Sequence, residues 1–262
     1  MAIDFSGQTA LITGASTGIG AVYANAFAAR GAHLVLVARS RDKLDGLATK
    51  IRTAHGVRVD VLAADLSTPD GCATVTALEQ DIDILINNAG FGMHGDVADA
   101  DAARLADQVR LNCLAVVQLT ARFLPGMIAR RRGTVVNIAS TAAFQPLPYM
   151  AVYGATKAFV LSFTEALWAE ARPAGVRVLA MCPGATETPF FEIVGTDDAA
   201  VGSRRAPEQV VATTFRALER GRPSVVDGRR NALLAGLVGL LPRRLVISAA
   251  ERTIRPKPAQ VR

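Results

Sequence analysis

The sequence predicts an α/β fold in which a doubly wound parallel sheet of about seven strands carries helices on both faces. Two observations lead to this prediction. Short apolar runs rich in β-branched residues alternate with helical stretches, which is the pattern of parallel strands joined by crossover helices. The chain has 262 residues, of which half are apolar and only 5% aromatic, and this composition suits a large core of alanine, valine and leucine.

The first two predicted strands and the helix between them form a unit that can bind a dinucleotide. Residues 9–12 and 33–37 are short apolar runs, and residues 21–30 are helical. The turn before this helix contains three glycines, which let the backbone approach a pyrophosphate at the helix N-terminus. This arrangement predicts a three-layer Rossmann fold. The turn supplies the cofactor-binding candidates Gly14, Ser16, Thr17, Gly18, Ile19 and Gly20.

The residues after the second strand indicate which nicotinamide cofactor fits. A unit that binds NAD usually has an acidic residue here for the ribose hydroxyls, whereas an arginine accommodates the 2′-phosphate of NADP. Ala38 stands where the acid would be, and Arg39 follows it, with Arg41 and Lys43 nearby. Arg39 could pair bidentately with a phosphate, or it could be a solvated loop charge. We expect NADP(H) to be preferred over NAD(H).

The alternation of strands and helices continues to residue 228. Further strands are predicted at 58–63, 82–86, 134–139, 177–181 and 224–227, and helices at 101–131, 155–170 and 207–220. The segment 189–205 lacks clear periodicity, and we interpret it as a mobile lid over the substrate. We therefore divide the chain into a domain of residues 1–228 and an extension of residues 229–262.

Tyr153 and Lys157 are four residues apart, so a helix would place the phenol and the ammonium on the same face. A phenol has a pKa near ~10 and is a poor base at neutral pH, but a neighbouring cation favours its ionised form. The pair therefore predicts a general acid/base. Pairs with this spacing also occur by chance in helices, so the interpretation depends on the other motifs.

Together, four motifs resemble those of the short-chain dehydrogenases/reductases. They are the TGxxxGxG turn that starts at Thr13, the NNAG tetrapeptide of residues 87–90, the pair Tyr153 and Lys157, and Ser140, thirteen residues before Tyr153. The resemblance covers about residues 5–228. The extended, sugar-nucleotide-modifying members usually carry TGxxGxxG instead, which counts against an epimerase.

The resemblance implies hydride transfer between the C4 atom of a nicotinamide and a carbonyl carbon. In that scheme Tyr153 donates a proton to the alkoxide, and Ser140 hydrogen-bonds the same oxygen. Lys157 lowers the pKa of Tyr153 and binds the nicotinamide ribose. Asn112 holds a water of the proton relay, although it could instead be a satisfied amide in the core.

The resemblance also implies further contacts with the cofactor. Asp65 and Leu66 would contact the adenine, although Asp65 could instead cap the turn before Pro69. Asn87 would fix the following loop through backbone hydrogen bonds. The remaining candidates follow strands and would lie along the cofactor: Asn88, Ala89, Gly90, Pro183, Gly184 and Thr188.

The expected substrate is a small, lipophilic carbonyl compound or alcohol. Residues 142–150 carry no charge, and Phe190, Phe191 and Ile193 add apolar surface from the lid. Fatty acyl, steroid and xenobiotic ketones all fit this description. His94 is interpreted as an incidental loop histidine rather than as a substrate contact, and Cys182 as a buried residue rather than a nucleophile.

Composition indicates the cellular setting. The three cysteines, Cys72, Cys113 and Cys182, are far apart and form no CxxC pair, which favours a reducing compartment without disulfides or structural zinc. No bound metal is expected. Residues 1–5 lack the features of a signal peptide, and we expect a cytoplasmic protein. No basic surface with interleaved aromatic residues is evident, so no nucleic-acid partner is expected.

The extension of residues 229–262 carries the excess positive charge. Its net charge is +7, which leaves −1 of the total +6 for the rest of the chain. Residues 231–241 are apolar but too few to cross a bilayer, residues 245–254 suggest a short amphipathic helix, and residues from 256 onward are expected to be disordered. The extension could cover the cleft, mediate an oligomer contact, or lie on a membrane as a basic anchor.

Two functions remain at this stage. The first is an NADP(H)-dependent carbonyl reductase or alcohol dehydrogenase, and the second is a catalytically silent NADP(H)-binding protein that acts as a regulator or at a membrane surface. The presence of Ser140, Tyr153 and Lys157 favours the enzyme. The helices around Asn112 and Phe159 are apolar on more than one face, and by resemblance we expect a homodimer or homotetramer.

Overall fold

The computed structural model describes residues 3–196 and 202–256. Seven strands form one parallel sheet in the order β3-β2-β1-β4-β5-β6-β7. The predicted doubly wound parallel sheet is therefore confirmed. The strand bounds are β1 Thr9–Thr13, β2 His33–Ala38, β3 Val59–Ala63, β4 Ile84–Asn87, β5 Gly133–Ile138, β6 Val176–Cys182 and β7 Ser224–Val226.

Helices cover both faces of this sheet. Alternate residues of β1 point to opposite faces, so Ala10 and Ile12 join one core while Leu11 joins the other. Helices α1, α2 and α8 pack against the first face, and α3, α5 and α6 pack against the second. The helix bounds are α1 Gly18–Ala28, α2 Arg41–His55, α3 Pro69–Thr76, α4 Ala102–Val109, α5 Ala115–Ala129, α6 Ala151–Ala171, α7 Phe190–Val194, α8 Pro207–Glu219, α9 Arg229–Val238 and α10 Arg243–Ile254.

The long helix predicted at 101–131 contains one π-helical turn, Arg110–Leu114, between α4 and α5. The predicted long helix is present as one continuous run, Ala102–Ala129, because the π-helical turn changes the hydrogen-bonding pattern only locally. Within the described residues, the stretch 102–129 is long and apolar enough to cross a membrane. Leu119, Phe123 and Met127 bury one face of it against the sheet, so we assign it to the core.

The segment interpreted as a lid contains one short helix, α7. Residues 197–201 of the segment lie outside the described residues. Both ends of the segment meet at Arg205, whose backbone N–H donates to Ala185 and whose carbonyl accepts from the N–H of Glu187. The Arg205 side chain forms an ion pair with Asp227, which is fully buried. We call this arrangement the Arg205 clamp.

The extension folds onto the domain as two helices, α9 and α10. Val246, Ala250 and Ile254 recur every fourth residue along α10 and are buried, so one face of the helix packs against the domain. The C-terminal end is also held by a 2.7 Å hydrogen bond between His94 Nε2 and the carbonyl oxygen of Ile254. The disorder predicted from residue 256 onward falls almost wholly on residues 257–262, which lie outside the described residues.

Candidate active site

One large cavity of about 1030 Å³ opens at the carboxyl ends of the strands. This is the edge at which parallel sheets of this kind bind ligands. The cavity reaches from Arg39, after β2, past the ends of β4 and β5, to helices α7 and α9. All the predicted site residues line it except Gly20 and Asn112, which lie behind its wall.

The glycine-rich turn is shaped by close backbone contacts. Gly14 and Gly18 have φ angles of 64° and 56°, which side-chain-bearing residues rarely adopt. A Cβ on Gly20 would lie 2.3 Å from the carbonyl oxygen of Gly14, so only glycine fits there. Helix α1 begins at Gly18, earlier than predicted, and therefore its first N–H groups, which have no partner within the helix, lie at the cavity.

Asn88, rather than Asn87, fixes the loop after β4, and the prediction for Asn87 was wrong. The Asn88 Nδ2 atom donates to the carbonyl oxygens of Thr13 at 2.9 Å and Gly14 at 3.2 Å. The hydroxyl of Thr13 accepts from the backbone N–H groups of Asn88 and Ala89. The Asn87 side chain instead lies inside the core, because β4 directs it toward polar neighbours on other elements, Thr120 and Asn137.

The end of the cavity beyond β2 and β3 is lined by Asp65 and Leu66 on one side and by Arg39 and Lys43 on another. Asp65 caps the turn, since its Oδ1 atom accepts from the backbone N–H of Ser67 at 3.0 Å and from the Ser67 hydroxyl at 2.7 Å. Of the two roles expected for Asp65, its Oδ1 atom therefore has that of capping the turn. Arg39 and Lys43 are exposed at the cavity edge.

Ser140, Tyr153 and Lys157 meet at the middle of the cavity. Helix α6 brings the two latter residues onto one face, with Lys157 Nζ 5.8 Å from the centre of the Tyr153 ring. Ser140 follows β5, and its hydroxyl accepts from the backbone N–H of Ala142 at 3.1 Å. Lys157 Nζ donates to the carbonyl oxygen of Ile138 at 2.7 Å, which fixes the ammonium at the end of the same strand.

Burial is the largest influence on the pKa values of Tyr153 and Lys157. It raises the pKa of Tyr153 to about 12, and a hydrogen bond with Ser140 opposes part of that rise. It lowers the pKa of Lys157 to about 8, an effect opposed by Cys113 and Cys182. The low-dielectric surroundings destabilise both charged forms, and the lowering of the Tyr153 pKa by Lys157 stays a prediction.

Asn112 lies in the π-helical turn and is buried. Its Nδ2 atom donates to the carbonyl oxygen of Phe91 at 2.9 Å and to the hydroxyl of Thr156 at 3.1 Å, while its Oδ1 atom accepts from the N–H of Phe91. A Cβ on Gly90 would lie 3.0 Å from this Oδ1 atom and 3.5 Å from Lys157 Nζ. Asn112 thus joins the loop after β4 to α6, directly behind the lysine.

The other end of the cavity is largely apolar. Phe144, Leu147 and Met150 line it, and the Phe190 ring lies 5.4 Å from that of Tyr153. Sequence reasoning placed these residues here and left open whether the extension covers the cleft. The residues that it adds to the lining are Arg229, Arg230, Asn231, Leu234, Ala235, Val238 and Ile254.

One sequence signal could have located α9. A Cβ on Gly184 would lie 2.5 Å from the Asn231 side chain, so the small residue after Pro183 leaves room for the helix. His94 is absent from the described lining of the cavity and holds α10 instead. Cys182 is buried and its pKa is raised to about 12 by burial, which makes it unsuited to act as a nucleophile.

Comparisons with known proteins agree with this architecture. The short chain dehydrogenase family model matches residues 8–199. A very-long-chain 3-oxoacyl-CoA reductase of Phaeosphaeria nodorum is 38% identical over 181 residues, which are 66% of this chain and 53% of the relative. The chain thus spans about half the length of that relative.

Two solved structures resemble nearly the whole chain. A short-chain dehydrogenase from Sphingobium yanoikuyae in complex with NADPH is 37% identical, with a TM-score of 0.83 over 97% of this chain and 99% of the other. The bulky-bulky ketone specific alcohol dehydrogenase from Comamonas testosteroni is 32% identical, with a TM-score of 0.79 over 97% of each chain. The family model covers most of the sequence and the sheet agrees with these structures, and the chain therefore belongs to the short-chain dehydrogenase family of oxidoreductases.

Proposed function

We propose that the protein is an NADP(H)-dependent oxidoreductase that interconverts a lipophilic carbonyl compound and a secondary alcohol. The observation that carries this proposal is the meeting of Ser140, Tyr153 and Lys157 in one cavity that also reaches Arg39. The first three residues suit proton transfer to an oxygen atom, and the arginine suits a 2′-phosphate.

The residues present fit a nicotinamide dinucleotide. The first-turn N–H groups of α1 suit its pyrophosphate, and Gly14, Gly18 and Gly90 leave the backbone bare along the cavity. The exposed Arg39 and Lys43 suit a phosphate on the adenosine ribose. When bound, the cofactor would supply or accept the hydride.

The protein would handle the proton. Because the pKa of Tyr153 is about 12, its phenol is protonated at neutral pH and can donate to the oxygen that gains charge when a ketone is reduced. Ser140 would hydrogen-bond the same oxygen, so that two donors stabilise charge that develops in the transition state. Lys157 would bind the nicotinamide ribose, and Asn112 would hold the relay water, as the family resemblance implies.

The apolar wall supports a lipophilic substrate with a large group next to the carbonyl. Phe144, Leu147, Met150 and Phe190 surround the reacting end, and Leu234 and Val238 extend the wall. Two of the three similar proteins named above act, by their names, on a 3-oxoacyl-CoA and on a bulky-bulky ketone. Long-chain 3-oxoacyl thioesters and bulky ketones are therefore the compounds to test first.

We also propose a homo-oligomer that is held together by helices α5 and α6. Ile128 and Phe159 are exposed apolar residues on these helices, and Leu114 in the adjoining π-helical turn is 49% exposed. A second copy would remove this surface from water.

The decisive experiment compares NADPH and NADH oxidation over a panel of bulky ketones, steroid ketones and 3-oxoacyl thioesters. We expect turnover with NADPH that falls by at least about a thousandfold in Tyr153→Phe, since removal of a general acid from an organised site has effects of this order. Binding of NADPH, measured by fluorescence, should remain near the wild-type value. Substantial turnover by Tyr153→Phe would refute the assignment, and tight NADPH binding without any turnover would favour the catalytically silent protein.

A further inference from the structure

The extension carries a group of leucines that the rest of the described chain leaves exposed. Five leucines on α9, on the turn after it and at the start of α10 are each between 45% and 81% exposed. Leu233 and Leu237 are four residues apart on α9, so they share one side of that helix, and Leu240 and Leu241 lie in the turn that follows it. We call this the leucine surface, and its members are Leu233, Leu237, Leu240, Leu241 and Leu245.

Four arginines flank the leucine surface in an arrangement that does not stabilise the helices. Arg229 and Arg230 lie in the first turn of α9, and Arg243 and Arg244 lie in the first turn of α10, where no acidic residue is present. The helix dipole favours anions at this end and disfavours cations. None of the four forms an ion pair with another described residue. Their charges are therefore available to an external anionic partner.

The leucine surface also adjoins the mouth of the cavity. Leu234, which neighbours Leu233, is 51% exposed and lines the cavity, and Ile193 on α7 is 49% exposed and does the same. Apolar side chains thus continue from the outside of the extension into the substrate end. Arg229 and Arg230 line the same region.

We propose that this face of the protein lies on the surface of an anionic lipid bilayer. Helix α9 has ten residues and cannot span a bilayer, but a short helix with leucines on one side and arginines at its end can lie in the interface. The leucines would enter the boundary between headgroups and acyl chains, and the arginines would meet lipid phosphates. The cavity mouth would then open toward the lipid, which would let an apolar substrate enter without crossing water.

Flotation of the full chain with vesicles tests this proposal independently of any enzymatic activity. We expect binding to vesicles of equal parts phosphatidylcholine and phosphatidylglycerol, weaker binding at high salt, and little binding to phosphatidylcholine alone. Leu240→Gln/Leu241→Gln and Arg243→Gln/Arg244→Gln should each weaken the partition by about tenfold or more.

Matched controls separate the surface from general effects of charge. Arg220→Gln/Arg222→Gln removes the same charge from two exposed arginines beyond α8 and should leave vesicle binding within about twofold of the wild type. Thermal unfolding of each variant would check that it folds. Absence of binding by the wild type, or equal loss in the control and the Arg243→Gln/Arg244→Gln variant, would overturn the proposal. A change of oligomeric state in Leu240→Gln/Leu241→Gln without vesicle binding would also overturn it and assign the surface to a second copy of the chain.

Discussion

The burial of the Lys157 ammonium at the candidate site lowers the stability of the folded protein. The side chain is 6% exposed and donates to a single carbonyl, that of Ile138, among the described residues. Its pKa of about 8 means that the protein lacks enough compensating interactions to hold the charge as well as water does. A bound nicotinamide ribose would supply further hydrogen-bond partners, so the free-energy cost of burying the ammonium is greatest in the protein without cofactor.

This burial predicts a pH dependence of stability that belongs to Lys157. Between pH 8 and the ordinary lysine pKa of 10.5, the unfolded chain binds a proton that the folded chain does not. The free energy of unfolding should therefore rise with pH in this window, by up to about 1.4 kcal/mol per pH unit relative to Lys157→Met. Urea unfolding at several pH values would measure the difference. The exposed Lys50→Met is the control, and parallel curves for the wild type and Lys157→Met would contradict the expectation.

The charge at Arg39 predicts how the protein distinguishes its cofactors. Loss of the guanidinium removes a charge-assisted pair with the 2′-phosphate but nothing that NADH would use. Arg39→Ala should raise the Kd for NADPH by about tenfold to a hundredfold and leave that for NADH nearly unchanged. Arg41→Ala is the matched control, because Arg41 starts α2 and is absent from the described lining of the cavity. Equal weakening of both cofactors would show that Arg39 does not read the phosphate.

At the scale of elements, the sheet and most helices could be predicted because apolar periodicity and glycine position depend on local sequence. The π-helical turn at Arg110–Leu114 could not, because its residues suit an α-helix equally well and the hydrogen bonds of Asn112 to Phe91 and Thr156 join residues that are far apart in the sequence. The roles of Thr13 and Asn88 also depend on contacts between residues about 75 positions apart. Such pairings have no local signature.

The Arg205 clamp predicts that a single substitution away from Ser140, Tyr153 and Lys157 strongly lowers the free energy of unfolding. Asp227 is fully buried and accepts hydrogen bonds from Arg205 and from the Thr213 hydroxyl. Arg205→Met would leave the carboxylate with only the hydroxyl, and the loss of one partner from a buried pair costs about 3–5 kcal/mol. We expect urea unfolding to show a loss of this order. Arg220→Met, at an exposed site, should change stability by less than about 0.5 kcal/mol, and a similar small change in Arg205→Met would refute the role of the clamp.

At the scale of the whole molecule, the extension completes the cavity. The sequence alone left open whether residues 229–262 cover the cleft, join copies or meet a membrane. The structure places α9 along the cavity and buries one face of α10 against the domain, so the extension is part of the wall. Sequence reasoning could not decide this, since the fit depends on the distance between Gly184 and Asn231 and on the hydrogen bond from His94.

The hydrogen bond between His94 and Ile254 predicts how firmly the extension is held. His94→Ala removes this bond without substituting any residue of the described cavity lining. Trypsin should then cleave after the arginines of α10 several times faster, because local opening exposes them more often. His55→Ala, on the exposed end of α2, is the control. An unchanged cleavage rate in His94→Ala would mean that the buried face of α10 alone holds the extension.

The Arg205 clamp has a consequence for how such an enzyme can acquire new substrates. Because the clamp joins residues 185–187 to residue 205, it holds together the two ends of the segment between them. Since none of the seven strands lies in the segment, we expect insertions, deletions or exchanges within it to leave the pairing of strands unchanged. The segment nevertheless supplies Phe190 and Ile193 to the cavity. We therefore expect that exchange of residues 189–204 can change the substrate range while Ser140, Tyr153, Lys157 and the glycine-rich turn stay in place, which makes these residues the first to randomise in directed evolution.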